Sequence, residues 1–419
     1  MNPTLNSGIS RRSFLKTGAV GVGGLVVAEG LVFAAGSKPA QPAENSLATV
    51  NVLDFGAIPS LAAMDVKAGR HPDEVDNAPA FQRAIDSLPA YDEKTGLGGG
   101  VVFFPHAKYM MAQTITIPPG VVLRGEGFWS GGTQIYLPSA VWTDRDHPRA
   151  MFETRHPDGI DKPVPFVGLD NLEIVGYPRA LDKGYQANVT DEARQTLNPG
   201  AILLIWRGGP GSFLRNVNLW GGFWGGQPPD SAARHAMLIP PECHAGPSVF
   251  YGIDFDTCWQ GIKMENAHDI VMFAPTWGCM NPYGQPWLSM KNCTGIVLHQ
   301  AAAETGFCLR AENSQAVVFG GFGRSAVNGA LAFGGDGPKF NKEEPPVFDL
   351  KDSDVSIYSF MLMNCKTAIR DVGSQGTFIL PGPGGEDGKE DRSVILAFYP
   401  GRLAVIPGGG KGKARGLRE

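Results

Sequence analysis

The sequence predicts an all-β fold in which short strands wind into stacked coils, a β-solenoid. The first observation is composition: 56 Gly and 33 Pro in 419 residues make a chain that turns often. The second is an apolar content of 43%, which is ample for a large core and excludes disorder, collagen and coiled coil. The third is an internal repeat of strands separated by Asn or Asp.

The repeat is clearest in four segments between Gly261 and Tyr358. Each contains a short apolar strand, an Asn or Asp, two or three small or polar residues, and a second apolar strand; the corner residues are Asn266, Asn292, Asn313 and Asp352. Asn and Asp suit tight corners because they tolerate left-handed backbone. One coil cannot bury its own apolar face, so the coils must stack. The longest interval contains Gly334–Pro338, which we interpret as an inserted loop.

Residues 1–40 are interpreted as an export signal. Arg11 and Arg12 precede an apolar, Gly-rich stretch from Ala19 to Ala35, a pattern typical of twin-arginine signals. The alternative is a membrane anchor, although the stretch is marginal for spanning a bilayer. No later stretch is long enough, so we expect a periplasmic or extracellular protein with no stable membrane insertion after the signal is removed.

The net charge of −5 argues against nucleic acid as a partner, because phosphate neutralisation needs clustered cations. The six cysteines contain no CxxC pair, which makes a zinc site improbable. An exported protein can form disulfides, but several cysteines lie beside short apolar runs, which favours buried thiols. The sequence does not predict the oligomeric state.

The region after the signal resembles a known family. It contains Val50–Ala57, then a segment from Asp76 to Asp86 with Phe81, Ala84, Ile85 and Leu88 on one helical face, then Gly98–Pro105 and Pro119–Gly127. This order resembles the amino-terminal cap of the pectate-lyase-like superfamily, which includes polygalacturonases, rhamnogalacturonases and phage tailspikes.

The resemblance implies a right-handed parallel β-helix spanning residues 48–400, with an amino-terminal capping α-helix at 77–88. Residues 401–419 are then a basic tail that we expect to be disordered. The sequence departs from the family at 59–75, an insertion, and lacks the catalytic signatures of polygalacturonases and alginate epimerases. The resemblance therefore implies architecture, and it implies chemistry only by association.

Strand alternation predicts a column of polar side chains on successive coils. Aligning the repeats places Leu172, Val217 and Ile253 inward, as well as Ile174, Leu219 and Phe255. Glu173, Asn218 and Asp254 then face outward on three coils, with Val175, Trp220 and Asp256 one step further along. Coils lie about 4.8 Å apart, so Glu173 and Asp254 are expected about 9–10 Å apart.

That spacing is near the upper end for an inverting glycosidase, which needs one protonated acid and one base that holds water. Glu173, Asp254 and Asp256 are therefore the catalytic candidates. The alternative is that outward acids keep a solenoid soluble.

The substrate-binding candidates are residues that stack on sugars or bind their hydroxyl and carboxylate groups. Tryptophans in a Gly-rich loop are expected to expose flat rings, or alternatively to cover gaps between coils. Arg215 suits a carboxylate, or alternatively a surface ion pair. The full set is Arg215, Asn218, Trp220, Trp224, Trp259, His299, Glu304 and Arg310.

The leading hypothesis is an exported enzyme that cleaves the glycosidic bonds of a polysaccharide or oligosaccharide. A uronate lyase is the second, with His299, Glu304 and Arg310 as its residues, and a non-catalytic glycan-binding scaffold is the third. No cofactor is predicted. A calcium site is left open, and its candidate ligands are Asp254, Asp256 and Asp269. His235, His244 and His268 are expected in loops or corners, with structural roles.

Overall fold

The computed structural model describes one unit of the chain, within residues 47–419. The described residues are 48–59, 75–127, 132–138, 141–176, 198–221, 233–256, 258–277, 286–303, 308–324, 346–363, 369–380, 394–399 and 402–407. The predicted signal at 1–40 and the tail from residue 408 lie outside them. In the described part, no helix is both long and apolar enough to cross a bilayer.

The fold is a right-handed parallel β-helix, as predicted. Sheet 1 consists of seventeen strands of the described chain: β1 (Thr49–Asn51), β2 (Gly100–Phe104), β3 (Lys108–Met110), β5 (Val121–Gly125), β6 (Gln134–Tyr136), β8 (Gly168–Val175), β10 (Ser212–Trp220), β12 (Ser248–Tyr251), β13 (Asp254–Asp256), β15 (Ile270–Phe273), β16 (Thr276–Trp277), β18 (Ile296–Ala303), β20 (Gln315–Arg324), β22 (Asp354–Met363), β24 (Gly376–Leu380), β25 (Val394–Tyr399) and β26 (Arg402–Pro407).

Sheet 2 is a single parallel ladder. Its nine strands in the described chain are β4 (Ile115–Ile117), β7 (Arg149–Thr154), β9 (Ala201–Ile205), β11 (His235–Ile239), β14 (Gln260–Glu265), β17 (Leu288–Lys291), β19 (Leu309–Glu312), β21 (Phe348–Lys351) and β23 (Ile369–Val372).

Each full coil contributes one strand to sheet 2 and then one longer path through sheet 1. The sheet 1 path bends in the middle, at left-handed residues such as Asn171, Asn216 and Gln300. Strands before this bend pair with one another, and so do strands after it. Sheet 1 therefore presents two outward surfaces, and sheet 2 presents a third.

The apolar core lies between the sheets and follows the predicted alternation. Leu172, Ile174, Val217, Leu219, Ile253 and Phe255 are all buried in it. The cysteines Cys243, Cys258, Cys293 and Cys308 are free and buried, which confirms the expectation of buried thiols for these four. Burial raises the pKa of Cys308 to about 12, so the thiol stays protonated.

The corners between sheet 2 and sheet 1 confirm the role predicted for Asn and Asp. Asn266, Asn292, Asn313 and Asp352 all have positive φ, between 46° and 55°. Their side chains also join the coils: Asn313 Nδ2 donates to Asn292 Oδ1 at 2.8 Å, and Asn292 Nδ2 donates to Asn266 Oδ1 at 3.3 Å. The corner thus repeats in register.

The α-helix α1 (Ala78–Asp86) packs on the first coil. Its predicted face is confirmed, since Phe81, Ala84, Ile85 and, just beyond the helix, Leu88 are buried. The Phe81 ring meets Phe104 edge-on, with ring centroids 4.9 Å apart. Asp76 Oδ1 accepts hydrogen bonds from the amides of Ala78 and Ala112, which ties the start of the helix to the solenoid.

The last described residues form strands, and one of them falls within the tail expected from residue 401. β25 pairs antiparallel with β24, and β26 pairs antiparallel with β25. The strand β26 (Arg402–Pro407) therefore extends the folded part beyond residue 400.

Replacing Asn292 separates the two contributions of the corner residues. Asn292→Ala loses the side-chain hydrogen bonds and keeps a Cβ in left-handed backbone, where a Cβ costs about 1–2 kcal/mol that the Asn side chain no longer offsets. Asn292→Gly loses the hydrogen bonds without that strain. Urea unfolding should therefore show a larger loss of stability for the Ala variant. A Gly variant less stable than the Ala variant contradicts this account of the corner.

Candidate functional site

The predicted polar column exists, and it is longer than predicted. Backbone register places Gln134, Glu173, Asn218, Asp254 and Thr276 opposite one another on five successive coils, after the bend of sheet 1. We call these five side chains the acid column. The strand neighbours of Glu173, Asn218 and Asp254 point into the core, so the acid column lies on the outer face of the coil.

Hydrogen bonds connect members of the acid column on neighbouring coils. Gln134 Nε2 donates to Glu173 Oε2 at 2.8 Å, and Thr276 Oγ1 donates to Asp254 Oδ1 at 2.9 Å. The contact from Asn218 Nδ2 to Glu173 Oε1 is longer, at 3.4 Å. Asn218 Oδ1 is buried, and no described residue donates to it. The column therefore holds both carboxylates in defined orientations.

Four of the five members of the acid column are buried and only Thr276 is exposed, contrary to the expectation of a surface column. Glu173 is 1% exposed, Asp254 is 5% exposed and Asn218 is fully buried. Alternation predicts which side of the strand a residue occupies, but a position outside the coil is not necessarily in contact with solvent. Because burying a carboxylate costs free energy, these acids do not serve solubility, and that alternative is wrong.

An apolar cluster lies beside the acid column on the same outer face. It consists of Met110, Tyr136, Val175 and Trp220, which occupy one register position on four coils, with Ala112 packed against them. Trp220 is fully buried, so the prediction that its ring is exposed for sugar stacking is wrong. It fills space over neighbouring coils instead, which is the alternative weighed for the tryptophans. The acid column thus has an apolar wall.

The side chains of three candidate site residues lie outside the described part of the structure. Asp256 lies opposite Trp220 in the backbone register, two residues along β13 from Asp254, but its side chain lies outside the described residues. Trp224 and Glu304 also lie outside them. Trp259 is half-buried, and the Arg145 guanidinium sits over its ring at 5.3 Å from the centroid.

Arg215 adopts the ion pair weighed as its alternative role. Its Nε donates to Asp170 Oδ1 at 2.8 Å and its terminal nitrogen to Asp170 Oδ2 at 2.5 Å, while Arg124 donates to the same carboxylate at 3.0 Å. Asp170 raises the pKa of Arg215. Arg215 lies before the bend of sheet 1, on a different surface from the acid column.

His299 and Arg310 do not come together as the lyase hypothesis requires. His299 lies in sheet 1, stacked between Phe273 and Phe319 at 4.9 and 5.1 Å. Burial lowers its pKa. Arg310 lies on sheet 2, where its Nε donates to Asp349 at 2.9 Å. The two residues therefore belong to different surfaces of the solenoid.

The calcium cluster is not assembled either. Asp254 lies in β13, whereas Asp269 lies at the corner before β15, where its Oδ2 is 3.1 Å from His268 Nδ1. Among the described side chains, no group of three His, Cys, Asp or Glu residues is placed to hold a metal ion.

Sequence reasoning missed Gln134 and Thr276, although a signal was present. Gln134-Ile135-Tyr136, Glu173-Ile174-Val175 and Asn218-Leu219-Trp220 share a pattern of polar, inward aliphatic and bulky outward residue. Lys108 occupies the same register position one coil before Gln134. The register therefore adds two neutral residues, Gln134 and Thr276, to the predicted column, and Lys108 continues it by one cation.

The placement predicted for His235 is wrong, because this residue lies in a strand and not in a loop or corner. It opens β11, is buried, and its Nδ1 has no hydrogen-bond partner among the described residues. Burial lowers its pKa to about 3, and the nearby charges of Arg234 and Lys263 act in the same direction. His235 is therefore neutral in the folded protein at any ordinary pH.

The low pKa of His235 predicts loss of stability in acid. Below about pH 6.5 the unfolded chain binds a proton at this histidine and the folded protein does not, down to about pH 3. The free energy of unfolding should fall by up to about 1.4 kcal/mol per pH unit in this range. Urea unfolding of His235→Gln from pH 7 to pH 4 should show a smaller slope than wild type. The exposed His244→Gln is the control; equal slopes for wild type and His235→Gln contradict the assignment.

Comparisons with known proteins give similarity of fold. No family model matches the chain, and no curated protein matches it. Among solved structures it is similar to ORF18 of Geobacillus virus E2, with a TM-score of 0.51 and 13% identity, covering 85% of this chain and 66% of that one.

It is also similar to the DFA-IIIase from Arthrobacter chlorophenolicus A6 in complex with GF2, with a TM-score of 0.49 and 12% identity over 83% of this chain and 90% of that one. A third is the full-length tailspike protein 2 from Escherichia coli O157:H7 bacteriophage CAB120, with a TM-score of 0.48, 10% identity and coverage of 80% and 42%. The chain spans less than two thirds of the length of the virus protein and of the tailspike.

Proposed function

We propose that this protein is an exported enzyme that cleaves the glycosidic bonds of a polysaccharide, with Glu173 and Asp254 as its acid and base. The observation that carries the proposal is their register: the two carboxylates occupy the same strand position two coils apart, on the outer face of the solenoid. The class of substrate comes from the resemblance of residues 50–127 to the pectate-lyase-like superfamily.

The backbone spacing of the two acids is near the upper end of the range for hydrolysis with inversion. Two coil spacings separate their backbones by about 9–10 Å, and inverting enzymes hold their carboxyl groups about 6.5–9.5 Å apart to leave room for a water molecule. One carboxyl group protonates the glycosidic oxygen while the other activates that water. Asp256, two residues along the strand from Asp254, is the third candidate and lies on the same side of the strand.

The surroundings of the acids favour a chemical role. Trp220 and Val175 form an apolar wall at the next outward position on the same strands as Asn218 and Glu173. Fixed charges act more strongly where water is excluded, so carboxylates oriented beside such a wall are suited to stabilise developing charge. Gln134 and Thr276 hold the two groups in position from neighbouring coils.

Conservative replacements of the two acids test the proposal. The wild-type chain is first screened against a glycan panel, with new reducing ends and ultraviolet absorbance both recorded. On a cleaved glycan, Glu173→Gln and Asp254→Asn should each lower kcat by about 10²–10⁴-fold, since each removes one proton-transfer group. Melting temperature and glycan binding of each variant establish that the loss is not one of folding.

The control is Glu312→Gln, which removes an acid from the outer face of sheet 2, where it pairs with Lys351. Its rate should match wild type. Wild-type rates in folded Glu173→Gln and Asp254→Asn reject the catalytic assignment. An unsaturated, ultraviolet-absorbing product identifies a lyase, and tight binding without new ends identifies a glycan-binding scaffold.

Export by the twin-arginine route is part of the same proposal and rests on Arg11 and Arg12. Replacing both with Lys should leave the protein in the cytoplasm, whereas Lys16→Arg should not. Fractionation of expressing cells measures this, and unchanged export of the double-Lys variant rejects the route.

A further inference from the structure

Asn218 lies between the two acids of the acid column, and its side-chain oxygen is buried without a donor. The residue is fully buried, and Oδ1 accepts no hydrogen bond from any described residue. A buried acceptor that is left unpaired is costly, so such atoms normally have a donor. A hydrogen is therefore expected at Asn218 Oδ1, and its source decides which of the two acids is protonated.

The orientation of the Asn218 amide indicates which coil supplies this hydrogen. Nδ2 lies 3.4 Å from Glu173 Oε1 on the preceding coil. The reversed amide would place two acceptor oxygens against each other there. Because the nitrogen and oxygen of a planar amide point in different directions, Oδ1 is turned towards the following coil. The register partner of Asn218 on that coil is Asp254.

The asparagines at the corners show the same direction of hydrogen bonding. Asn292 Nδ2 donates to Asn266 on the coil before, and Asn292 Oδ1 accepts from Asn313 on the coil after. Asn218 also donates to the coil before it. At the corner the next residue is an amide, which has an N–H to donate. In the acid column the next residue is Asp254, whose carboxyl group can donate only when it is protonated.

The surroundings of Glu173 stabilise its ionised form. Gln134 Nε2 donates to Oε2 at 2.8 Å, and Asn218 Nδ2 approaches Oε1, so both oxygens receive a donor. Hydrogen bonds donated to a carboxylate favour its charged form. Lys108 lies in the same column two coils before Glu173, at about 9–10 Å, and four coils before Asp254, at about 19 Å. This cation therefore favours negative charge on Glu173 more than on Asp254.

The groups that face Asp254 are neutral or acidic. Asn218 lies on the preceding coil and Thr276 on the following coil. Glu173 lies two coils away, and Asp256 lies two residues along the same strand. None of these four positions holds Lys, Arg or His. Asp254 is 5% exposed, and burial near other acids disfavours the charged form of a carboxyl group.

We propose that Asn218 is a positioning residue that keeps one proton on Asp254, through a hydrogen bond from Asp254 Oδ2 to Asn218 Oδ1, while Glu173 stays ionised. Thr276 donates to the other oxygen of Asp254, at 2.9 Å. The two buried acids then carry one negative charge between them, which removes the need for a second cation in the column.

The chemical consequence rests on the proposed function and assigns the two roles within it. Asp254 gives its proton to the leaving oxygen as the glycosidic bond breaks, and Glu173 takes a proton from water as the water oxygen bonds to the anomeric carbon. Exchange with solvent then returns Glu173 to its ionised form and Asp254 to its protonated form.

Infrared spectroscopy of the full chain at pH 7 tests the location of the proton without a substrate. Wild type should show the C=O stretch of a protonated carboxyl group. Asp254→Asn should lose this band, whereas Glu173→Gln should keep it because Asn218 Oδ1 still needs a donor. Glu312→Gln, which removes an acid on the outer face of sheet 2, is the control and should keep the band.

Isotope labelling keeps this test decisive if Asp254→Asn does not fold. In wild type labelled with aspartate that carries carbon-13 at its carboxyl carbon, the band of a protonated aspartic acid shifts, and the band of a protonated glutamic acid does not. A wild type without the band, a band that does not shift, or a band lost in Glu173→Gln but kept in Asp254→Asn overturns the proposal.

Replacement of the amide tests Asn218 itself. Asn218→Leu keeps the approximate volume and removes the acceptor, so the C=O stretch of Asp254 should move to higher frequency, as expected for a carboxylic acid that has lost a hydrogen bond. An unchanged band in folded Asn218→Leu contradicts the contact between these two residues.

The pH dependence of unfolding is a further measurement. Above about pH 4 the unfolded chain loses the proton of Asp254 and the folded protein keeps it, so this group makes wild type less stable as the pH rises. The urea midpoint of Asp254→Asn should therefore rise relative to wild type from about pH 5 to about pH 8. Glu173→Gln should show no such rise, because Glu173 is ionised in both states. Parallel curves for wild type and Asp254→Asn overturn the proposal.

A change of leaving group separates the two catalytic roles on a sugar that the glycan panel identifies. Asp254→Asn should lose about 10²–10⁴-fold in kcat on the glycan and stay near wild type on its nitrophenyl glycoside, whose leaving group needs no proton. Glu173→Gln should lose activity on both. The reverse pattern rejects the two roles. If no glycan is cleaved, the proposed function fails, and the infrared result still decides where the proton lies.

Discussion

The parallel pairing of each coil with the next, in register, is the constraint on which the rest of this structure depends. Each strand hydrogen-bonds to the equivalent strand one coil away, so a residue is always placed beside its counterpart about 4.8 Å distant. A side chain that is favourable at one position can therefore be repeated on successive coils to form a column, as the corner asparagines do. Like charges on neighbouring coils would repel in the same way, so the charged columns of sheet 2 alternate in sign.

The outward surfaces differ because the neighbours in each column differ. On sheet 2, opposite charges alternate between coils and neutralise one another across half-exposed positions. After the bend of sheet 1, the Asn218 amide separates the two carboxylates, and Gln134 and Thr276 donate hydrogen bonds to them from the flanking coils, which allows both to be buried. Before the bend, like residues repeat, and aromatic rings gain contact by stacking. One backbone thus supports three chemically distinct surfaces.

The sequence predicted features that depend on local geometry. The inward positions of Val217 and Leu219 follow from alternation, and the corner at Asn292 follows from tolerance of left-handed backbone. The burial of Glu173 and Asp254 could not be predicted, because it depends on what lies outside the coil. The placement of His235 in a strand was missed since its neighbours Arg234 and Ala236 give no alternation.

One column of outward side chains before the bend of sheet 1 could in part have been predicted from the sequence. It consists of the stacked rings of Phe273, His299, Phe319 and Tyr358. Phe273 and His299 each lie seven residues after a corner asparagine, Phe319 lies six residues after Asn313, and Tyr358 lies six residues after Asp352. The offset is visible in the sequence, but a histidine among phenylalanine and tyrosine residues obscures it. The stacking becomes apparent only when coils are set in register, because no two of these residues are near one another in the chain.

The antiparallel hairpin formed by β25 and β26 has a consequence for how the solenoid ends. A parallel stack leaves its last strand with free amide and carbonyl groups, a template on which the first strand of another molecule can continue the winding. Here β24 is already bonded to a strand running the opposite way. A newcomer cannot pair with this edge of β24, and the outermost described strand of sheet 1 is β26, which runs in the same direction as β24 because it is antiparallel to β25. A molecule that continued the winding would therefore add to this hairpin and not to the last parallel coil.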